Sequence, residues 1–297
     1  VDVLQTGHTL TSPDKPLKYA DLALPEPVMW YAISPRSKGD EDKLIASLTK
    51  LLEEDPTVRM DRNLETKELI VSGMGEQHLQ VVFSKLEKRF GVGIDYKIPR
   101  VAYRETIRKG AKAQGRYKKQ TGGRGQFGDV WLEIQPRPRG EGFEFQNNIF
   151  GGAIPTKFVP SVEKGVVETL AKGVVAGYPV VDIMVSVYDG SYHTVDSSDL
   201  AFKIAASMAL KNAFAQANPA ILEPIADVTV RVPAEYMGAI TSDLSGKRGR
   251  VMGMEPAGLF QEIRAYVPMS ETFRLSSDIR SLTGGKGTFT VRFSHYE

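Results

Sequence analysis

The chain has 297 residues, of which 41% are hydrophobic and 25% are charged, and its formal net charge is +2. This length predicts two or three domains, and this composition excludes a disordered or collagen-like chain. The sequence contains no cysteine, which excludes disulfides, thiolate metal sites and a cysteine nucleophile. Its four histidines form no zinc-binding pattern, and it has neither a membrane-spanning apolar run nor a secretion signal, so we expect a cytoplasmic protein.

Residues 1–24 contain Pro13 and Pro16, are followed directly by Pro25 and Pro27, and are interpreted as the tail of a preceding domain and a linker. The next segment, residues 25–99, predicts a domain whose strands and helices follow the order βαββαβ. Leucines at helical spacing predict helices over 39–54 and 74–90. This order is typical of a ferredoxin-like fold, with an antiparallel sheet covered on one face by two helices. The four strands are predicted at 28–34, 57–61, 68–72 and 92–96.

The middle segment, residues 100–222, predicts a different α+β domain. Alternation of apolar and polar residues indicates half-buried strands, and longer apolar-periodic stretches indicate helices. The second helix is expected to open with Asp196 or Ser197 as its N-cap, and Asp196, Ser197 and Ser198 are all interpreted as cap residues. The predicted elements are strands at 130–134 and 181–187 and helices at 160–172 and 198–217.

The last segment, residues 223–297, repeats the βαββαβ order and predicts a second ferredoxin-like domain. The fold class of the whole chain is therefore α+β, with two ferredoxin-like domains flanking the middle domain. The predicted elements of this segment are strands at 225–232, 250–255, 259–267 and 288–293 and helices at 234–244 and 270–282.

A glycine-rich basic segment, GRYKKQTGGRGQFG, occupies residues 115–128. Such a segment suits a phosphate backbone, with Tyr117 and Phe127 as stacking surfaces, although a solvated flexible loop is the alternative interpretation. A nucleotide site is disfavoured, because the segment leads into the strand at 130–134 instead of a helix and the chain has no G-x-x-x-x-G-K-[ST] motif. The cations of this basic arm are Arg104, Arg108, Lys109, Lys112, Arg116, Lys118, Lys119 and Arg124.

A second candidate loop, YDGSYHTVDSSD at residues 188–199, joins a predicted strand to a predicted helix. It contains His193, which is expected to be exposed. A surface loop and a nucleic-acid contact are the main interpretations, because sequence spacing alone does not assemble a hydrolytic triad. The residues that such a triad would use with the histidine are Asp189, Ser191 and Asp196.

A shorter basic turn, SGKRGR at residues 245–250, lies in the last predicted domain. Its Lys247 and Arg248 are candidates for contact with phosphate, and Arg280 and Lys286 extend the same candidate surface.

Several short sequence words, in one order along the chain, resemble those of a known family. Over nearly its whole length the chain is similar to the C-terminal half of bacterial translation elongation factor G, from the end of domain II through domains III, IV and V. The words are Pro25-Glu26-Pro27, Gly73-Met74-Gly75-Glu76, Val101-Ala102-Tyr103-Arg104-Glu105-Thr106-Ile107, Gln120-Thr121-Gly122-Gly123-Arg124-Gly125-Gln126, Ala176-Gly177-Tyr178-Pro179-Val180-Val181-Asp182, Gly190-Ser191-Tyr192-His193 with Val195-Asp196-Ser197-Ser198, Leu222-Glu223-Pro224-Ile225 and Arg280-Ser281-Leu282-Thr283.

The resemblance implies that the three predicted domains are domain III, a domain IV with a fold like ribosomal protein S5, and domain V. In the family, loops at the tip of domain IV meet tRNA and mRNA in the small-subunit decoding centre, and domain V lies against large-subunit RNA. By position, His193 lies in one tip loop, and Lys247 and Arg248 lie in domain V. The residues of the other tip loop, with the two lysines before it, are Lys118, Lys119, Gln120, Gly122, Gly123, Arg124 and Gln126.

The resemblance also implies the ribosome-binding portion of a translational GTPase that promotes translocation of tRNA and mRNA. The implied partners are the ribosome, tRNA and mRNA, and we expect a monomer. The family's GTPase domain has no counterpart in this sequence. We therefore expect GTP and Mg²⁺ to bind elsewhere in the full-length protein, and no catalytic residue, cofactor or metal in this chain.

The sequence departs from the family pattern at a few positions. Gln77 stands where leucine is usual after Gly-Met-Gly-Glu, residues 11–24 differ from the common form, and no C-terminal helix follows Glu297. These departures suggest a divergent elongation-factor-G-like protein. Three alternatives stay open: a ribosome-protection factor of the same superfamily, a small-molecule kinase with an S5-like fold, and a stand-alone RNA-binding module.

Overall fold

The computed structural model describes residues 6–20, 22–120 and 125–297. The first domain has the predicted order of elements, and its strands form one sheet with β1 antiparallel to both of its neighbours, in the order β2-β3-β1-β4. This arrangement confirms the ferredoxin-like prediction. The bounds are β1 Met29–Pro35, α1 Glu41–Glu54, β2 Arg59–Arg62, β3 Leu69–Gly73, α2 Glu76–Phe90 and β4 Ile94–Lys97.

Both helices of this domain pack one apolar face onto the sheet. Leu44, Leu48 and Leu51 recur every third or fourth residue of α1, so they share one side of the helix, and all three are buried. Helix α2 ends at Gly91, whose φ of 62° is the left-handed conformation that closes many helices. The buried residues of α2 are Leu79, Val82, Phe83 and Leu86.

The central domain has a four-stranded sheet, a two-stranded sheet and two long helices. Its elements are β5 Arg104–Ile107, β6 Ala111–Lys119, β7 Gln126–Pro136, β8 Phe143–Asn147, α3 Val159–Lys172, β9 Ile183–Ser191, α4 Asp199–Gln216 and β10 Pro219–Leu222. The larger sheet has the order β6-β7-β9-β8, in which β8 and β9 run parallel, and β5 pairs with β10. Both predicted helices and two of the strands lie where expected, which confirms the α+β class. Strands β5, β6, β8 and β10 were not predicted.

The cap of α4 is one of the three residues interpreted as cap residues, but not either of the two expected first. Ser198, instead of Asp196 or Ser197, provides it, because the Ser198 hydroxyl accepts the N–H of Ala201 at 3.2 Å. Asp196 and Ser197 are thereby left for other contacts.

Helix α4 lies against the β6–β7 hairpin at two glycines. A Cβ atom at Gly128 would lie 2.6 Å from the Ala201 carbonyl oxygen, and one at Gly115 would overlap the main chain at Ala205. A side chain at either position would therefore push the helix off the sheet. The sequence alone suggests that Gly128 lets the chain approach a partner. In the structure its close contact is with α4 of the same domain.

The last domain repeats the first, with a sheet in the order β12-β13-β11-β14, which confirms the second ferredoxin-like prediction. The single helix expected at 270–282 is two helices, separated by Phe273 and Arg274. Beside the break, the Thr272 and Ser277 hydroxyls donate to main-chain carbonyls at 2.8 Å, and such local bonds compete with a continuous helix. The bounds are β11 Pro224–Pro233, α5 Met237–Gly246, β12 Arg250–Ala257, β13 Phe260–Pro268, α6 Met269–Thr272, α7 Leu275–Leu282 and β14 Thr288–Tyr296.

Internal contacts divide the chain into two compact units, Val1–Val101 with Ile225–Ser294 and Ala102–Pro224 with His295–Glu297. The ferredoxin-like domains fall in the first unit and the central domain in the second. The exact domain boundaries stay a prediction. Within the described part of the chain, no helix has both the length and the apolar character that crossing a membrane requires.

Candidate nucleic-acid interface

The β6–β7 hairpin and the loop after β9 meet at one end of the central domain. Lys119 pairs with Gln126, and Lys118 with Phe127, in the last described registers of the hairpin. Lys118, Lys119 and Gln120 are exposed, and Gln126 is half-buried. The end of the glycine-rich segment, from Gln126, belongs to strand β7, as expected, and not to the N-terminus of a helix. Three predicted contact residues lie outside the described residues: Gly122, Gly123 and Arg124.

Asp196 and Ser197 join the loop after β9 directly to the hairpin. Asp196 Oδ1 accepts the N–H of Gly125 at 3.1 Å, and the Asp196 carbonyl accepts the N–H of Phe127 at 2.9 Å. Ser197 Oγ donates to the Phe127 carbonyl and accepts the N–H of His193, both at 2.9 Å. These bonds bring His193 beside the strand that carries the other predicted contact residues.

The ring of His193 is contacted at Nδ1 by groups of its own loop, and Asp196 Oδ2 lies 3.5 Å from the same nitrogen. Its Nδ1 accepts the main-chain N–H groups of Val195 at 3.3 Å and of Asp196 at 3.2 Å. When Nδ1 accepts these two bonds, Nε2 carries the ring proton, and in a protonated ring, whose Nδ1–H faces the Asp196 carboxylate, Nε2 also carries a proton, so Nε2 is a donor in both states. The side chain is 54% exposed, and its ring centroid lies 6.5 Å from that of Phe127. His193 therefore offers a donor of fixed type at this end of the domain.

The hydrolytic triad considered for this loop is not assembled. Ser191 Oγ donates to Asp129 at 2.8 Å, so its proton is directed away from His193. Of the two aspartates, Asp196 has its Oδ2 3.5 Å from His193 Nδ1, whereas Asp189 accepts the N–H of its neighbour Gly190. In this described loop, therefore, no serine is paired with the His193 ring as a nucleophile. Among the described residues there is also no group of three or more His, Cys, Asp or Glu side chains placed to hold a metal ion.

The basic arm expected from the sequence is divided by the fold. Strand β6 covers nine residues, so at about 3.3 Å per residue its two ends lie roughly 26 Å apart. Arg108 and Lys109 precede the strand, and they are remote from Lys119 at its other end. Arg104, in β5, lies over the Tyr296 ring at 5.2 Å. Only the later part of the arm therefore belongs to the hairpin end.

Within the hairpin, the cations are used in different ways. Lys112 pairs with Glu133 at 3.1 Å, and the Arg116 guanidinium lies over the Phe127 ring at 5.5 Å. One face of the Phe127 ring, which was expected to stack on RNA, is thus already covered by the Arg116 guanidinium. Among the described residues, two cations of the hairpin end make no ion pair: Lys118 and Lys119.

The basic turn of the last domain is held by acidic partners of that domain. The Lys247 ammonium pairs with Asp243 and with Asp278, the latter at 2.9 Å. Burial alone would lower the pKa of Lys247, but the two carboxylates raise the pKa above its usual value, so the group stays charged. Arg248 lies 3.4 Å from Glu271. This turn therefore presents less unpaired positive charge than its sequence suggests.

Sequence reasoning missed the buried carboxylate of Glu105, which organises the loop after α3. The residue is fully buried. Burial alone would raise the pKa of Glu105, but hydrogen bonds from main-chain N–H groups lower the pKa below its usual value. A lone acid within a basic segment is the only signal in the sequence. The donors, at 2.7 to 3.2 Å, are the N–H groups of Val174, Val175, Ala176, Gly177 and Tyr178.

Family models match almost the whole chain. Residues 24–98 match the model for elongation factor G, domain III, residues 99–218 match domain IV, and residues 220–297 match the elongation factor G C-terminus. The chain belongs to the elongation factor G family. Its matched domains are those indicated by the sequence motifs, so the predicted resemblance is confirmed. Membership in this family of translation elongation factors also favours a role in protein synthesis over the small-molecule kinase alternative.

One solved structure is similar to the chain over almost its whole length. The chain is similar to a crystal structure of a protein from Thermus thermophilus, with 45% sequence identity and a TM-score of 0.81. The match covers 96% of this chain and 43% of that chain. The chain therefore spans less than half the length of this relative.

Proposed function

We propose that this chain is the ribosome-binding portion of a translational GTPase that promotes the movement of tRNA and mRNA during elongation. In this proposal the protein acts as a monomer in the cytoplasm, with the ribosome, tRNA and mRNA as partners. GTP and Mg²⁺ would bind a domain outside these residues. The chain itself would supply binding and positioning and no covalent catalyst.

One observation carries the proposal: exposed cations and a donor of fixed type converge at one end of the central domain. Lys118 and Lys119 supply charge for phosphates, His193 supplies an Nε2–H donor, and Gln126 supplies an amide that both donates and accepts. Occupation of an RNA-lined site by this end would oppose the return of a displaced RNA by steric exclusion. The residues predicted to extend the contact in sequence are Gln120, Gly122, Gly123 and Arg124.

A weaker contact with large-subunit RNA is proposed for the basic turn of the last domain. Arg248 is exposed, and it would be the main contributor. Lys247 would act mainly by holding the turn, because its ammonium is already paired with two carboxylates.

Single-round translocation by the full-length protein tests the proposal. His193→Ala and Gln126→Ala should each slow the step by about tenfold or more, because misplaced or missing contacts at a reacting assembly typically cost that much. Gln135→Ala is the matched control, since this exposed glutamine lies at the other end of the same strand. Melting temperatures of the variants separate loss of contact from loss of fold.

Two results would count against the proposal. Normal translocation rates in both variants would remove the assigned contact surface. Protection of ribosomes from an antibiotic without any translocation would instead support the ribosome-protection alternative.

A further inference from the structure

We propose that Asp196 and Ser197 are positioning residues, which hold Gln126 and His193 in the arrangement needed to contact RNA. This inference rests on the proposed function. It assigns to the two residues a role beyond helix capping, because Ser198 already caps α4.

Asp196 fastens the hairpin through both its side chain and its main chain. The carboxylate accepts the Gly125 N–H, and the carbonyl accepts the Phe127 N–H, so the two bonds flank Gln126 on either side. Gly125 is required for this approach, since a Cβ atom there would lie 2.9 Å from Asp196 Cγ. The orientation of Gln126 is therefore set by Asp196 as well as by the β6–β7 pairing.

Ser197 connects the same point of the hairpin to His193. Its hydroxyl donates a hydrogen bond to the Phe127 carbonyl and accepts one from the His193 N–H. A serine hydroxyl has one proton, so both bonds are made at once without competition. The separation between the His193 backbone and the Phe127 backbone is thus fixed by a single oxygen atom.

Asp196 also decides which ring nitrogen of His193 is offered to a partner. The Asp196 N–H is one of two main-chain donors to Nδ1, and the Asp196 carboxylate lies 3.5 Å from the same nitrogen, where it pairs with a protonated ring; in both arrangements Nε2 carries a proton. The partner group must then be a hydrogen-bond acceptor, such as a phosphate, ribose or base oxygen of RNA. A loop that lost its attachment to the hairpin would lose this orientation.

The test measures single-round translocation by the full-length protein and the ¹⁵N shifts of the His193 ring. Asp196→Ala should slow translocation by about tenfold, whereas Asp196→Asn, which keeps a carbonyl oxygen for the Gly125 N–H, should stay within about twofold of the native rate. Asp189→Ala removes the same charge from a nearby exposed aspartate and serves as the control. The Nε2–H signature of His193 should persist in Asp196→Asn and weaken in Asp196→Ala.

Non-additivity gives a second measure that a purely structural role would not produce. If Asp196 acts by orienting His193 and Gln126, then adding Asp196→Ala to a His193→Ala, Gln126→Ala variant should cause little further slowing. Ser197→Ala should slow translocation as Asp196→Ala does. If Asp196→Ala fails to fold, Ser197→Ala is used in its place.

The outcomes separate the two hypotheses. A native rate in both Asp196→Ala and Ser197→Ala, while His193→Ala is slow, would overturn the positioning role and leave the proposed function intact. Fully additive slowing would also overturn it. Native rates in His193→Ala and Gln126→Ala would reject the proposed function and the positioning role together.

Discussion

Replacement of Glu105 should lower the stability of the central domain by a measurable amount. A hydrogen bond to a charged group contributes about 1.5–3 kcal/mol to stability. Replacing the carboxylate also removes the cost of burying its charge, and this offsets part of the stability lost with the hydrogen bonds. In Glu105→Gln, the oxygen that accepts two N–H groups is replaced by an amide that cannot accept them. We expect the free energy of unfolding to fall by about 1–3 kcal/mol in Glu105→Gln and about 2–4 kcal/mol in Glu105→Ala.

The two tryptophans of the chain allow this domain to be followed separately. Trp131 lies in β7 of the central domain and Trp30 lies in β1 of the first domain. In a Trp30→Phe background, urea unfolding monitored by tryptophan fluorescence reports on the central domain alone. Glu163→Gln is the matched control, since Glu163 is exposed on α3. An effect of Glu105→Gln no larger than that of the control would refute the reasoning.

The pH dependence provides an independent check. The folded pKa of Glu105 lies below that of an unfolded glutamate, so its stabilisation is present above about pH 4.3 and is lost as pH falls through the folded pKa. The stability difference between the native protein and Glu105→Gln should therefore narrow below about pH 4. A difference that stays constant from pH 7 to pH 3 would show that the ionised carboxylate is not responsible.

Two further predictions concern the hairpin. Lys118→Gln combined with Lys119→Gln should reduce the slope of log K against log salt for RNA binding by about two, because each lysine releases about one counterion, and an unchanged slope would show that neither neutralises phosphate. Gly115→Ala should destabilise the central domain by about 1–3 kcal/mol, because its Cβ would overlap the α4 main chain. Gly253→Ala, which has open space around it, should change the melting temperature little, and equal effects of the two substitutions would contradict the packing argument.

The ferredoxin-like domains were predictable because their helices bury large leucines at regular spacing. The central domain was harder, and β6 shows why. Its buried positions are Ala113 and Gly115, and a Cβ atom at Gly115 would meet the main chain of Ala205 and Ala209 in α4, so this contact is made by small residues. Small residues give almost no hydrophobic alternation, and the strand carries no periodic signal. Close main-chain packing, not burial of large side chains, determines this part of the fold.

The site could be predicted only in part for a related reason. The types of residue at the hairpin end follow from the sequence, but the bonds from Asp196 and Ser197 to the hairpin join residues about 70 positions apart. No local pattern specifies such contacts. For Lys247, the partner Asp243 one helical turn away was visible in the sequence, whereas Asp278 in another helix was not.

The close approach of α4 to the hairpin has a mechanical consequence. Helix α4 contacts the hairpin as far as Gly128, which pairs with Tyr117. Beyond this contact the described hairpin continues for two more strand pairs, 118 with 127 and 119 with 126, which extend roughly 7 Å. A short extension of a hairpin beyond its support bends less than a long one. Force applied to these residues should therefore pass into the helix and the sheet behind it with little flexing.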